Sequence, residues 1–168
     1  KRQDGDNHLE ILPLRPGRGF ERLPLPNVGD LFFDMEGDPL YDGSLEYLFG
    51  VIDRVDSKES FTTFWAHDHA EEKLAFEQLM DFFTAHLVKY PEAHIYHYNH
   101  YEPTALKRLA ANYGTKEDEV DDLLRQHRLV DLFQVVREAI RISEPRYSIK
   151  NLEAFYMEKR DGEVKTAG

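Results

Sequence analysis

The sequence predicts an α/β fold: a mixed β-sheet, made of an antiparallel meander plus a parallel strand, flanked by helices. Three observations carry this. Three strand-like runs follow one another closely between residues 30 and 65. A helix-period segment and a fourth strand-like run come next, and the rest of the chain is helical in pattern. A meander followed by a crossover helix and a further strand builds a mixed sheet with helices packed on it.

Taken in order, residues 1–29 read as an extended arm. Pro13, Pro16, Gly17, Gly19, Pro24, Pro26 and Gly29 break any long helix. Leu9, Ile11, Leu12 and Leu14 supply a short strand or an apolar strip. Asp30–Gly37 is the first strand of the body. Glu46–Ile52, nearly all apolar, has the pattern of a central buried strand. Ser60–Trp65 is β-branched and aromatic, as strands favour. Asp42-Gly43 and Asp56-Ser57-Lys58 are turns between them. Over residues 70–89, Leu74, Phe76, Leu79, Phe82, Phe83, Leu87 and Val88 recur at helical spacing, and Pro91 stops the helix. His94–Tyr98 is the fourth strand. Glu102–Tyr113 is a helix with Pro103 in its first turn and Gly114 as C-cap. Lys116–His127 is another helix, and Leu129-Val130 is a short extended link. Asp131–Ile142 and Ser148–Tyr156 are helices with Asp131 and Ser148 placed as N-caps.

A chain of 168 residues buries a real core. The expected organisation is an arm, 1–29, and one domain, 30–168. No apolar run reaches 18 residues, so no membrane span is predicted, and no signal-peptide pattern opens the chain. The absence of cysteine excludes disulfides and thiolate metal sites and fits a reducing, cytoplasmic compartment. The net charge of −11 argues mildly against nucleic-acid binding, which usually leaves a basic footprint. Many of the acids sit in local runs such as Glu117-Asp118-Glu119, which read as a solvated helix face. The start at Lys1 and the polar ending suggest a piece of a longer polypeptide, truncated at its C-terminus.

Chemistry concentrates at Leu31-Phe-Phe-Asp-Met-Glu-Gly-Asp-Pro39. Strand side chains alternate, so Asp34 and Glu36 share one face and Phe33 and Met35 the other. Two acids in an otherwise apolar strand are costly unless a cation neutralises them, and hard divalent cations prefer oxygen ligands. The bland alternative is a solvated strand face. A second cluster, Tyr96-His-Tyr-Asn-His-Tyr-Glu102, lies where a strand hands over to a helix, a place where α/β proteins present functional groups. Alternation puts His97 and Asn99 on one face. Glu102 falls in the helix's first turn, where the macrodipole stabilises a carboxylate even without function. The His67/His69 and His94/His97/His100 spacings do not fit a zinc site.

These elements together resemble the ribonuclease H-like exonucleases of the DEDD class. Within that class they resemble the YprB-like ribonuclease H-like domain of RecB-family, helicase-associated nucleases. Gly17-Arg-Gly-Phe20, Leu23-Pro-Leu-Pro26, Gly29–Pro39, Tyr96-His-Tyr…Tyr101-Glu102 and Tyr147-Ser-Ile-Lys-Asn-Leu-Glu153 carry the likeness over nearly the whole chain. The resemblance implies a mixed-sheet ribonuclease H-like fold and metal-dependent 3′–5′ exonuclease activity on single-stranded nucleic acid, with DNA favoured. It also implies helicase or nuclease modules of a longer polypeptide as partners, and two Mg²⁺ or Mn²⁺ ions roughly 3.5–4 Å apart held by four carboxylates.

By position, Asp34 and Glu36 are the first two acids. Glu102 stands where an Asp is expected, one methylene longer. Asp131 sits where related domains carry an acid near the site. The fourth acid should follow a Tyr or His on a late helix by four or five residues. Tyr156…Asp161 has such a spacing, but Lys159–Gly162 reads as a turn, so that helix is expected beyond Gly168. His97 and Asn99 are placed beside the substrate, and Arg141, Arg146 and Lys150 form a local basic cluster able to meet phosphates. Tyr147 is suited to stacking on a base; ordinary surface chemistry is the simpler explanation of the cluster. Two other readings stand beside the nuclease: a non-catalytic module docking nucleic acid or a helicase, and a phosphohydrolase of small nucleotides.

Overall fold

The computed structural model describes residues 8–55 and 58–157. In chain order the elements are β1 (Leu9–Ile11), β2 (Leu31–Asp38), β3 (Leu45–Asp53), β4 (Ser60–Trp65), α1 (His69–Lys89), β5 (Ile95–His97), α2 (Tyr101–Tyr113), α3 (Glu117–Arg125), β6 (Leu129–Asp131), α4 (Leu132–Ala139), β7 (Ile140–Ile142) and α5 (Ile149–Tyr156). The described residues form two compact units, one within 23–132 and the other from residues 8–22 and 133–157.

The larger unit is α/β, with five strands in the order β4-β3-β2-β5-β6. The β2–β3 and β3–β4 pairs are antiparallel, and the β2–β5 and β5–β6 pairs are parallel. This is the predicted mixed sheet. Its core is the Leu31, Phe33 and Met35 face of β2, with Phe49 and Val51 of β3 and Ile95 of β5. Phe76, Leu79, Met80 and Phe83 of α1 cover that face, with Leu106 and Leu109 of α2. Each such side chain contributes about 1.5–3 kcal/mol on full burial. Asp68 caps α1, accepting from Glu71 N–H at 2.8 Å. Gly114 closes α2 in the left-handed conformation, φ +57°.

Two elements differ from the sequence reading. Leu129–Asp131 is an edge strand, because β6 pairs with β5 from Ile95↔Leu129 to His97↔Asp131. Three residues carry no readable period, so only the partner reveals the strand. The helix expected to reach Ile142 ends at Ala139, because Ile140–Ile142 turns into β7 and pairs antiparallel with β1.

In the smaller unit, Arg22 and Gly19 both donate to Glu138, at 2.7 and 2.8 Å, and fix a short 3₁₀ turn. Ser148 caps α5 as expected, accepting from Asn151 N–H at 3.3 Å. Asp56 and Ser57 of the third turn lie outside the described residues, as does the Lys159–Gly162 segment with Asp161.

Candidate active site

The β2 strand is buried on one face only. Its exposure alternates strictly, with Leu31, Phe33 and Met35 inside and Phe32, Asp34 and Glu36 outside. Even the apolar Phe32 on the outer face remains 44% exposed. The two acids therefore stand together on an open face, as the period of two requires.

Glu102 approaches Asp34 from the start of α2. The chain leaves β5 at His97 and turns at Asn99, whose φ of +87° lies in the left-handed region. Asparagine tolerates that conformation better than most residues. Three contacts hold the turn. Asn99 N–H donates to Asp131 Oδ1 at 2.9 Å, His97 Nδ1 donates to Asn99 O at 2.6 Å, and His100 N–H donates to Asn99 Oδ1 at 2.8 Å. A carbonyl only accepts, so His97 carries its hydrogen on Nδ1. Parallel register aligns His97 with the buried face rather than with Asp34 and Glu36, since Ile95 pairs with Leu31.

Glu102 is 3% exposed, and its Oε2 has no hydrogen-bond donor. His97 Nδ1 stands 3.4 Å from Oε2, but its hydrogen is directed at Asn99. Asp34 is raised above the usual carboxylate range, first by partial burial of the carboxyl under its neighbours and then by the Glu102 and Glu36 charges. Met35 N–H, donating to Asp34 Oδ1 at 3.0 Å, opposes that shift. Asp34 is thus under the charge of both Glu36 and Glu102, and Glu102 keeps one buried oxygen unpartnered; carboxylate oxygens are the donors a hard divalent cation prefers. Among the described residues, no three His, Asp or Glu side chains form a ready-made metal cluster.

Of the predicted site residues, Asp34, Glu36, His97, Asn99, Glu102 and Asp131 all lie in the larger unit. Asp131 is at the end of β6 and ties down the Asn99 turn. Arg146, Tyr147 and Lys150 belong to the smaller unit. There Arg146 and Lys150 are exposed, and half-buried Tyr147 donates to Ile140 O at 3.3 Å. Arg141 is ion-paired with Glu10 at 3.3 Å.

The sequence reading missed a polar network beside the acids. Glu46, 2% exposed, accepts at Oε1 from Tyr101 OH, at 2.7 Å, and from Arg108, which also donates to Ser44 Oγ at 3.1 Å. Burial, and then the Glu46 carboxylate, push the Tyr101 hydroxyl up to about 12. The signal was present in the sequence, because Glu46 is an acid opening an otherwise apolar strand. A β-bulge places it: Glu36 pairs with Leu48, but Gly37 pairs with Glu46. Bulges of this kind re-aim side chains next to sites. Glu36, Gly37, Glu46, Tyr101, Thr104 and Arg108 line an open cleft of about 540 Å³.

The family model described as RNase_H superfamily matches residues 31–167. No curated protein and no solved structure gives a significant match. Among the described residues, no helix is long and apolar enough to cross a membrane.

Proposed function

Because this chain belongs to the RNase H superfamily, whose domains carry nuclease-type nucleic-acid hydrolysis, we propose that it is a metal-dependent 3′–5′ exonuclease domain. Its substrate is single-stranded nucleic acid, with DNA favoured, and its place is in a larger cytoplasmic DNA-processing nuclease of the YprB-like, RecB-family, helicase-associated kind. On this reading residues 30–168 form the nuclease domain behind the 1–29 arm. The observation that supports the proposal is the approach of Glu102 to Asp34, which shares its strand face with Glu36, with Glu102 Oε2 buried and unpartnered. Such a cluster is stable only if a cation or a proton offsets it.

Asp34, Glu36 and Glu102 would hold Mg²⁺ or Mn²⁺. Bound there, a divalent cation supplies Lewis-acid neutralisation of the charge that develops at the scissile phosphate. The chain's own residues do the positioning. Asp131 and His97 fix the Asn99 turn from its N–H and C=O sides, and this turn aims Glu102 at Asp34. Asn99 is assigned to the substrate end, whereas His97, expected there too, is buried behind the turn. Arg146, Lys150 and Tyr147 are assigned to phosphate and base contacts.

One observation favours a second reading, a non-catalytic docking module for nucleic acid or a helicase: the described residues contain no preformed three-ligand metal cluster. End-labelled single-stranded DNA and RNA, incubated with the full chain and Mg²⁺ or Mn²⁺, separate the two. The nuclease reading expects stepwise shortening from the 3′ end, stopped by chelation and reduced at least about a hundredfold by Asp34→Asn. Strand binding that survives Asp34→Asn, with no metal-dependent cleavage, would establish the docking module instead.

A further inference from the structure

We infer that the open face of β2, β3 and β4 is a base-stacking platform, on which Phe32, Phe61 and Trp65 take the bases of a single strand whose end lies at Asp34 and Glu36. The inference rests on the nucleic-acid part of the proposed function, and the stacking itself needs neither metal nor cleavage.

Register places the three aromatics on the face of the acids. Glu36 pairs with Leu48, and Leu48 with Trp65. Asp34 pairs with Gly50, and Gly50 with Thr63. Phe32 pairs with Ile52, and Ile52 with Phe61. Directly paired residues share a face, so Trp65 continues the row of Glu36 and Phe61 that of Phe32. Phe49 and Phe64, the neighbours in sequence of Leu48 and Trp65, pack on the core from the other side. Neighbouring strands lie about 4.7–4.9 Å apart, which sets the backbone of Trp65 roughly 10 Å from that of Glu36.

Each ring is held by a neighbour, yet stays open to solvent. Trp65 is stacked with Tyr47, at 6.4 Å between centroids and 28° between planes, and is 55% exposed. Phe32 is stacked with Tyr96 in the same way, at 5.5 Å and 24°. Phe61, 65% exposed, leans over Gly50, where a Cβ would lie 3.2 Å from its Cε2. The glycine therefore lets the Phe61 ring lie over the residue that pairs with Asp34. Rings fixed before binding lose little conformational entropy when a ligand arrives. Large aromatics exposed together on one face mark an interaction surface.

The chemistry commits this surface to bases. The three rows contain Asp34 and Glu36 but no lysine or arginine. Such a face repels phosphates and offers flat apolar rings, which every nucleobase matches with its own π-face. Sheet-borne aromatics stack two or three bases in other single-strand binders. A flexible strand can turn its phosphates to solvent. A second copy of this chain cannot, because it brings the same acids and the same net charge of −11 to the contact. The platform also reconciles nucleic-acid binding with that charge: the affinity comes from base faces rather than from a basic footprint. The rows lead from the rings to Asp34 and Glu36, so bases stacked there bring the strand end to the acids.

Trp65 is the only tryptophan of the chain, so its fluorescence reports the platform directly. A short oligodeoxyadenylate and an abasic strand of the same length and charge are titrated into the full chain, with a chelator present to stop cleavage. The oligodeoxyadenylate is expected to quench Trp65 and to bind about tenfold or more tightly than the abasic strand. Phe61→Ala, which keeps Trp65 as reporter, should weaken that binding about 5- to 150-fold, and Phe61→Tyr should restore it. Trp65→Leu, read by the polarisation of a labelled strand, covers the case in which Phe61→Ala fails to fold. Raising salt from about 50 to 200 mM should change the affinity less than about tenfold, against the roughly 10³–10⁵-fold loss of a binder built on phosphate contacts. Equal binding of the abasic strand overturns the inference, because phosphates then hold the strand. So does unquenched Trp65 with both strands. Dimerisation abolished by Phe61→Ala, with no quenching, overturns it in favour of a second copy. Metal-dependent cleavage without quenching would refute the platform alone. Quenching without cleavage, once metal is restored, would refute the nuclease reading alone.

Discussion

Arg108→Ala tests the energetics of the site from its least exposed charge. Glu46 is 2% exposed and keeps its ion pair through Arg108, which is itself 38% exposed on the side chain. Removing Arg108 strands a buried carboxylate with Tyr101 as its remaining side-chain donor. Breaking a fully buried pair by removing one partner costs about 3–5 kcal/mol. Here the Arg108 side is partly solvated and Tyr101 still donates, so the lower end applies, about 3 kcal/mol. The loss of the Ser44 bond falls within that figure, because a neutral hydrogen bond contributes only about 0.5–1.5 kcal/mol net. Glu46→Gln retains the shape and removes the charge that needs Arg108. The double variant should therefore be more stable than the sum of the two single changes predicts, by about 1–3 kcal/mol. Urea unfolding followed by circular dichroism, with the slope on urea held constant across the four proteins, reads the cycle. The reasoning fails if Arg108→Ala lies within about 0.5 kcal/mol of the parent, or if the two changes simply add.

Other consequences are narrower. Leu79→Ala empties a wholly buried position beneath the sheet and should cost about 2–5 kcal/mol in the same unfolding assay. Asn99→Ala keeps φ at +87° without the side chain that suits it, and should destabilise by about 1–3 kcal/mol; Asn99→Gly should recover part of that loss, with the remainder reporting the bonds to His100. Glu138 is held down at about 2, first by the Arg22 guanidinium and then by the Gly19 N–H. A depressed carboxylate stabilises the fold above its ordinary value of 4.5 and loses that contribution as pH falls from there toward about 2. Glu138→Gln should flatten the acid limb of a stability-versus-pH curve in that window, and an unchanged limb would refute the assignment.

The sheet's centre was legible because its periods are long and clean. The first six residues of β2 alternate strictly, and α1 repeats its apolar face over 21 residues. The three-residue strands β6 and β7 were not legible, because each is defined by its partner. At the site, Asp34, Glu36 and Glu102 were readable as residue types at telling positions. The side chains that hold them in place were less so. His97 aligns with the buried face, not with the acids, and Asp131 clamps Asn99 from the end of an edge strand. Glu46 and Arg108 lie 62 residues apart, and no local pattern joins them.

By itself the sequence determined the α/β class, the order of the long elements, the shared face of Asp34 and Glu36, and the family likeness. These follow from local chemistry: side-chain alternation, helical spacing, caps and turns act over a few residues. Only the tertiary structure decided that Glu102 comes within reach of Asp34 through a left-handed turn. It alone decided that one β-bulge sets Glu46 opposite Gly37, and that Arg108 closes that pair. The reason is physical. Burial and pairing set what a buried carboxylate costs, and both are properties of the neighbours that folding brings together.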